Sequence, residues 1–133
     1  MKGKFRLYIL DGEPRGLIYR DLVERMIIEE KLVLPSRLVV DWEEDLNENN
    51  EIPLGYHGYL IHTSCIKSEQ PVLNLREASP NCIIYATSRN GANHDEDPIH
   101  ALKFKQAVNR ISSSDSQILE HFINASYNLY KKL

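Results

Sequence analysis

The first strand-like segment of the chain ends in an acidic turn that leads directly into a helical pattern. Residues 5–10 form an apolar run of strand length, and Asp11-Gly12-Glu13-Pro14 follow it. Proline is tolerated in the first turn of a helix, because the N–H that it lacks would have no partner there. A strand that stops at such a turn and leads into a helix is typical of the first unit of a doubly wound α/β domain. Ligands of such domains bind beyond the carboxyl ends of the strands, so we expect Asp11 and Glu13 at the rim of any site.

Strand and helix patterns alternate along the rest of the chain. Apolar residues at helical spacing predict a helix from Pro14 to about Lys31. Further strands are predicted at residues 37–41, 56–63, 82–87 and, weakly, 106–108. Further helices are predicted at residues 71–78, from 98 to about 104 and from 118 to 129, with one or two helical turns at 42–46 and polar loops at 47–53 and 89–96. Such alternation indicates a parallel sheet covered by helices on both faces.

The composition is that of an ordinary globular domain. The chain has 133 residues, 42% of them hydrophobic and 26% charged, which predicts one domain spanning residues 1–133. A net charge of −3 gives no basic footprint and argues against direct binding of nucleic acid. Neither a membrane span nor a secretory signal is visible. Cys65 and Cys82 lack metal-site spacing, so we interpret both as buried small hydrophobes of a reduced, cytoplasmic protein.

Several segments, in order, resemble the receiver domain of bacterial response regulators. Residues 10–14 are similar to the family's acidic Asp-Asp-Glu-Pro turn, and residues 42–46 are similar to the segment after its second strand. Residues 73–88 resemble its third helix and fourth strand, and residues 95–103 resemble its fourth helix. The resemblance implies a flavodoxin-like (CheY-like) doubly wound fold with five parallel strands in the order 2-1-3-4-5 and helices on both faces.

The resemblance also implies a particular chemistry. A receiver takes a phosphoryl group from a histidine kinase onto an aspartate at the end of its third strand. Acids at the exit of the first strand hold Mg²⁺, whose hard oxygen ligands they supply. A Thr or Ser ending the fourth strand and a Lys ending the fifth then bind the phosphoryl group and draw neighbouring loops into a second arrangement.

This sequence departs from the receiver pattern at its essential positions. Gly12 occupies the place of the second acid of the metal-binding pair. The third strand ends in His62-Thr63, so that Thr63, or His62 if the register shifts by one, occupies the place of the phospho-acceptor. Neither side chain is a carboxylate. The sequence therefore predicts a degenerate receiver, or pseudo-receiver, in which aspartyl phosphorylation has no acceptor.

The remaining pocket positions are kept in part. Thr87 ends the fourth strand, as the family pattern requires. Asn109 or Arg110 stands in the region of the missing Lys, and Arg110 could supply charge without the same point contact. The resemblance thus implies a degenerate phospho-site pocket of Asp11, Gly12, Glu13, His62, Thr63, Thr87 and Arg110.

Other polar groups allow both a functional and a structural interpretation. Asp11 and Glu13 could hold Mg²⁺ weakly, but we favour a solvated acidic turn without a cofactor. His62 could pair with Asp11 as an acid–base or metal pair, although a strand-end histidine bonded to a neighbour is commoner. Thr63 as a phospho-acceptor would need an activating base, and His62 next to it in a strand would point to the opposite face.

Two clusters near helix starts have a similar ambiguity. His94, Asp95, Glu96 and Asp97 suggest a metal site, yet acids are favoured at a helix N-terminus in any case. Ser112, Ser113, Ser114 and Ser116 suggest phosphorylation, yet together with Asp115 they are also N-cap candidates for the last helix.

The leading hypothesis is a non-enzymatic, phosphorylation-independent adaptor in bacterial two-component signalling that acts through protein–protein contact. Since no DNA-binding or enzymatic segment is visible, we expect output through the domain's own surface. The family's usual interaction face maps onto residues 98–105 and 118–132, where it also supports homodimers. We expect a histidine kinase or other signalling protein as partner, bound through the interaction face of Ile99, Leu102, Phe104, Phe122, Tyr127 and Tyr130.

A competing hypothesis keeps chemistry at the pocket. The chain would then bind Mg²⁺ or be phosphorylated at a residue other than aspartate in a phosphorelay. A nucleotide-binding role has less support, because Gly12 and Gly16 alone do not make a glycine-rich phosphate loop.

Overall fold

The computed structural model describes residues 3–46, 49–88 and 97–133. Its strands are β1 (Phe5–Leu10), β2 (Leu38–Glu43), β3 (Gly58–His62), β4 (Ile83–Ser88) and β5 (Arg110–Ser113). Its α-helices are α1 (Arg15–Glu29), α2 (Gln70–Ala78), α3 (Leu102–Ala107) and α4 (Ser116–Lys132). Short 3₁₀ turns occur at Pro35–Arg37, Thr63–Cys65 and Pro98–His100.

The five strands form one parallel sheet in the order β2-β1-β3-β4-β5. This topology confirms the predicted flavodoxin-like fold. Parallel neighbours require crossover connections, and the helices that supply them cover both faces of the sheet. None of the helices in the described ranges is long and apolar enough to cross a membrane.

Two apolar layers hold the helices against the sheet. The first layer lies between the sheet and helices α1 and α4, where Phe5, Ile9 and Phe122 are fully buried. The second layer lies between the sheet and helices α2 and α3, where Tyr8, Ile61 and Phe104 are fully buried. Because successive strand residues point to opposite faces, each central strand contributes to both layers.

Two predicted elements differ from the structure. The sequence predicts helical turns at residues 42–46, but β2 continues through Glu43, and Trp42 pairs with Ile9 of β1. It also predicts the fifth strand at residues 106–108, but Gln106 and Ala107 complete α3 and β5 begins at Arg110. Phe104 and Ala107 are buried one helical turn apart, which explains their packing as a helix.

The amino-terminal side of the sheet is fixed by the Arg76 guanidinium of α2. Arg76 donates to the backbone oxygens of Ala107 at 2.7 Å, Pro80 at 2.9 Å and Cys82 at 2.7 Å, and to Asn109 Oδ1 at 2.9 Å. Asn109 Oδ1 also accepts the backbone N–H of Ile84 in β4, next to the start of its pairing with β5. One side chain thus joins α2 to the entries of β4 and β5.

Candidate functional site

Side chains from four strands form a row at the carboxyl edge of the sheet. Leu10 of β1 pairs with Ile61 of β3. The residues that follow them, Asp11 and His62, therefore lie at the same level of the sheet. His62 pairs with Thr87, and Thr87 pairs with Ser112. Asp11, His62 and Thr87 are all buried. The fold therefore brings three of the predicted pocket residues together in one row.

The Asp11 carboxylate is bound by an arginine of the same chain. Arg15 lies in the first turn of α1, and its Nε and Nη2 donate to the two Asp11 oxygens at 2.8 Å and 3.0 Å. Asp11 is 2% exposed, whereas the Arg15 side chain is 39% exposed. The hydrogen bonds to Asp11 raise the pKa of the Arg15 guanidinium. A guanidinium thus occupies both oxygens of the acid that was the best candidate for a metal ligand.

The backbone of Asp11 is held by Trp42 of the neighbouring strand. Trp42 Nε1–H donates to the Asp11 carbonyl oxygen at 2.8 Å. A Cβ atom on Gly16 would overlap both Trp42 Nε1 and this oxygen, so only glycine at position 16 allows the indole to reach its acceptor. The acidic turn is therefore fixed from its backbone as well as from its side chain.

A 3₁₀ turn, Thr63–Cys65, follows directly after β3. Thr63 is buried in the 3₁₀ turn, and its hydroxyl donates to Asp97 Oδ2 at 3.4 Å. His62 Nδ1 accepts the backbone N–H of Ser64 at 3.2 Å and lies 2.6 Å from Ser64 Oγ. β3 thus ends in His62, level with Thr87, and is followed by Thr63, and neither side chain is a carboxylate.

The Thr87 hydroxyl is buried at the end of β4, and no partner for it occurs within the described ranges.

The prediction that Arg110 or Asn109 stands near the phosphoryl position is wrong. Arg110 is exposed and begins β5, where it pairs with Tyr85. Tyr85 lies two residues before Thr87 in β4, so Arg110 is not at the level of Thr87. Asn109 precedes it and binds Arg76 and β4 at the opposite end of the strand. The carboxyl end of β5 carries Ser112 and Ser113 instead.

The described residues contain no group of three or more acidic, histidine or cysteine side chains suited to a metal ion. Glu13 is exposed at the turn. Of the predicted cluster at 94–97, residues 94–96 lie outside the described residues, as does the loop 89–96. Asp97 caps the 3₁₀ turn that follows it, since its Oδ1 accepts the N–H of Ile99 at 3.0 Å.

The two cysteines have different environments. Cys82 is buried, as predicted, whereas Cys65 is only half-buried at the rim, where its Sγ donates to the Glu44 carbonyl oxygen at 3.5 Å. Burial raises the pKa of the Cys65 thiol, and the negative charges of Asp11 and Asp45 raise it further. Both effects disfavour the reactive thiolate.

Most of the predicted interaction face lies in the core. Phe104 and Phe122 are fully buried, and Ile99 and Tyr130 are 8% exposed, because these residues form the apolar faces of α3, α4 and the turn before α3. Leu102 is 69% exposed. Tyr127 is half-buried beneath the Lys131 ammonium, which lies 5.1 Å from its ring centroid.

The serine cluster before α4 is divided between two elements. Ser112 and Ser113 lie in β5, and Ser116 begins α4. The cap itself is Asp115, whose Oδ1 accepts the N–H of Ile118 at 3.1 Å. The helix start therefore needs no serine hydroxyl as its cap.

Comparison with known proteins shows a likeness of fold. No family model matches the chain, and no curated protein matches it. The structure is similar to the receiver domain of NtrC4 in its beryllofluoride-activated dimer, with 13% identity and a TM-score of 0.61 over 94% of this chain and 98% of that chain. It is also similar to HP1043, an orphan response regulator of H. pylori, with 11% identity and a TM-score of 0.61 over 98% of this chain and 99% of that chain.

A third similar structure is an adenylate cyclase from Rhodopirellula baltica, with 14% identity and a TM-score of 0.61 over 97% of this chain and 91% of that chain. Two of these three solved structures are thus response-regulator proteins. At such low identities the likeness shows the flavodoxin-like fold and leaves the chemistry to the residues of this chain.

Arg15 and Ser64 are among the residues of the site that the sequence did not predict. Arg15 lies outside the apolar stripe of α1, and Asp11 precedes the helix, so the four-residue spacing of helical ion pairs does not predict their contact. Ser64 has no comparable signal, because no pattern in the sequence shows that the chain turns back after His62.

Proposed function

We propose that this chain is a pseudo-receiver, a regulatory module that works by binding a protein partner and takes up no phosphoryl group on an aspartate. The observation that carries the proposal is the state of the carboxyl edge. β3 ends in His62 and is followed by Thr63, so no carboxylate stands there, and both oxygens of the Asp11 carboxylate are bound by Arg15. An aspartyl phosphate at the end of β3 needs a carboxylate there, and His62 and Thr63 supply none.

The fold supports a regulatory role by analogy. The described structure resembles a receiver domain and a response regulator along nearly the full length of each. At the place of the acceptor and cation-binding groups this chain has internal hydrogen bonds, and these hold the fold and its surface rigid. Recognition of a partner is the function that such a surface can still perform.

The surface around α3 is the best candidate for that contact. Leu102 is 69% exposed on α3, and Lys103 and Lys105 of the same helix are exposed cations. No acidic residue occurs between Pro98 and Ser114. An apolar residue surrounded by cations favours an acidic partner with an apolar residue that packs on Leu102.

Affinity capture tests this proposal. The chain is immobilised, with and without prior incubation with acetyl phosphate and Mg²⁺, and exposed to extract of the source cells. Leu102→Asp should abolish capture of the partner. Leu34→Asp is the matched control, because Leu34 is equally exposed at 69% but precedes β2, far along the chain from α3.

We expect the chain to capture the same partner with and without acetyl phosphate. The Leu102→Asp variant should not capture this partner, whereas the Leu34→Asp variant should. Capture that depends on acetyl phosphate would contradict the proposal. Equal loss with both leucine variants would contradict the assignment of the surface.

A further inference from the structure

We propose that Ser64 and His62 form a nucleophile–base pair at the carboxyl edge that accepts an acyl group from a neutral carboxylic ester. The site of this covalent modification lies in the turn that follows β3. It is independent of the regulatory function proposed above.

The hydrogen bonds fix the proton positions. The backbone N–H of Ser64 donates to His62 Nδ1 at 3.2 Å, so Nδ1 carries the lone pair. Ser64 Oγ lies 2.6 Å from the same nitrogen, and its O–H is therefore the donor. A hydroxyl that donates to an imidazole nitrogen at this distance has the arrangement of an activated nucleophile and its base.

Burial separates the two roles. His62 is 1% exposed and belongs to a central strand of the sheet, which holds the imidazole in place. Ser64 is exposed in the Thr63–Cys65 turn. The base is thus sheltered while the hydroxyl is accessible, at the sheet edge where ligands of this fold bind.

The charges around Ser64 favour a neutral electrophile over a highly charged one. Cys65, whose Sγ lies 4.0 Å from Ser64 Oγ, contacts the backbone of Glu44, and the adjacent Glu44 and Asp45 side chains are exposed acids. Of the described cations close to Ser64 along the chain or at this edge, Arg15 is bound by Asp11, and Lys67 is an exposed residue three positions after Ser64. Phosphoryl donors with several negative charges would be repelled here, whereas a neutral ester would not be.

The reaction balances within this pair and the ester. Ser64 Oγ attacks the ester carbonyl carbon, and its proton passes to His62 Nδ1. The tetrahedral adduct then breaks the bond to the alkoxide, which leaves with the proton from Nδ1 as the free alcohol. The products are an ester of Ser64 and one alcohol, with neutral His62 restored.

A neutral fluorophosphonate, which serine nucleophiles attack with loss of fluoride, provides the test. The purified chain is treated with the probe, its mass gain is followed in time, and the labelled residue is located by peptide mapping. Three variants are compared with the unchanged chain: Ser64→Ala, Ser68→Ala and His62→Asn. Ser68 is an exposed serine in the loop after the turn and is the matched control. The asparagine of His62→Asn would keep an oxygen to accept the Ser64 N–H but could not act as a base.

We expect one label on Ser64, none with Ser64→Ala and an unchanged rate with Ser68→Ala. His62→Asn should slow labelling by at least about 100-fold, the lower limit of the usual contribution of a general base. With p-nitrophenyl acetate in place of the probe, the acetyl group should map to Ser64.

Equal labelling of Ser64 and Ser68 in the unchanged chain would overturn the inference, and this comparison requires no variant. Labelling of Ser64 at the same rate in a folded His62→Asn variant would also overturn it. Because the assay contains no partner protein, its failure would leave the regulatory function untouched.

Discussion

Both oxygens of the Asp11 carboxylate accept hydrogen bonds from the Arg15 guanidinium, at 2.8 Å and 3.0 Å. This pair places a fixed positive charge at the exit of β1, where the receiver pattern would need a metal ion. A buried carboxylate requires a counter-charge, and here the chain supplies it. The fixed positive charge of the guanidinium therefore opposes the binding of an added cation at this carboxylate.

Removal of the guanidinium should therefore create a weak cation site. Arg15→Gln leaves Asp11 buried with a neutral neighbour, and Glu13 lies two residues away on the exposed turn. We expect the variant to bind Mg²⁺ with a dissociation constant in the millimolar range, which the weakest oxygen-ligand sites show. Isothermal calorimetry and the shift of thermal melting with added Mg²⁺ would measure it.

Arg20→Gln is the control for loss of an arginine, because Arg20 binds the exposed Asp21 on the surface of α1. We expect no saturable Mg²⁺ binding by the control or by the unchanged chain. An unchanged chain that binds Mg²⁺ as tightly as Arg15→Gln would show that Arg15 does not close the site.

A second prediction concerns the close approach of α1 to β2. Gly16→Ala would force its Cβ into Trp42 Nε1 and the Asp11 carbonyl oxygen. We expect a loss of about 2 kcal/mol in the free energy of unfolding, in the usual range for overpacking. Urea unfolding followed by the fluorescence of Trp42, the single tryptophan, would measure both the loss and the change in indole environment.

Gly12→Ala is the matched control, since nothing lies within 4 Å of a Cβ at position 12. Its free energy of unfolding should stay within about 0.5 kcal/mol of the unchanged chain. Similar losses in the two variants would mean that steric overlap with Trp42 is not the cause.

A third prediction concerns the Arg76 guanidinium. Arg76→Ala removes four hydrogen bonds to oxygen and leaves partly buried carbonyl oxygens at the start of β4 and the end of α3 without their donor. We expect a loss of about 3 kcal/mol in the free energy of unfolding, as for charged donors with several acceptors. Arg76→Lys should recover only a small part, because an ammonium group cannot match the planar fork.

Chemical unfolding of Arg76→Ala beside Arg25→Ala, an exposed arginine of α1, provides the measurement and its control. Arg25→Ala should change stability by no more than about 0.5 kcal/mol. A comparably small effect of Arg76→Ala would show that the guanidinium does not stabilise this end of the sheet.

The sequence predicts the central strands of the sheet well and the edge strand β5 poorly. β1, β3 and β4 are apolar runs because both of their faces are buried, and that composition reveals them directly. β5 pairs only with β4 and contains Arg110, Ser112 and Ser113, so no apolar pattern marks it. The preceding Phe104 and Ala107 are apolar because they cover the sheet as part of α3, and a strand prediction over 106–108 follows from that apolar character alone.

The candidate site was predictable in position and not in its internal bonds. The rule that ligands bind at the carboxyl ends of parallel strands placed Asp11 and Glu13 at the rim. The resemblance to receiver domains added His62 and Thr87, and the register brings both together with Asp11. The Thr63–Cys65 turn reverses the chain and returns Ser64 to His62, which strand alternation does not predict. Local backbone reversals of this kind are decided by capping and by packing against neighbouring elements.

A fourth prediction concerns the pH dependence of stability. Burial lowers the pKa of His57 below its ordinary value of 6.5. The neutral imidazole accepts the Arg6 backbone N–H at Nδ1, at 3.1 Å, and a protonated ring could not. Because the unfolded chain takes up this proton more readily than the folded chain, stability is complete above about pH 6.5 and falls as the pH drops towards the folded pKa.

Urea unfolding of the unchanged chain and of His57→Gln at several pH values between about 7.5 and 5 measures this effect. The slope of stability against pH should be smaller for His57→Gln, with His121→Gln, an exposed histidine of α4, as control. Identical slopes for the unchanged chain and His57→Gln would assign the acid sensitivity to other groups.

The central claim is that the carboxyl edge takes up no phosphoryl group on an aspartate. Incubation of the purified chain with acetyl phosphate and Mg²⁺, followed by intact-mass spectrometry, tests it most directly. A receiver with its acceptor aspartate intact serves as the positive control for the reagents. We expect the mass of this chain to gain no phosphoryl group, and a stable gain of one phosphoryl group on Asp11 or another aspartate of this edge would contradict the claim.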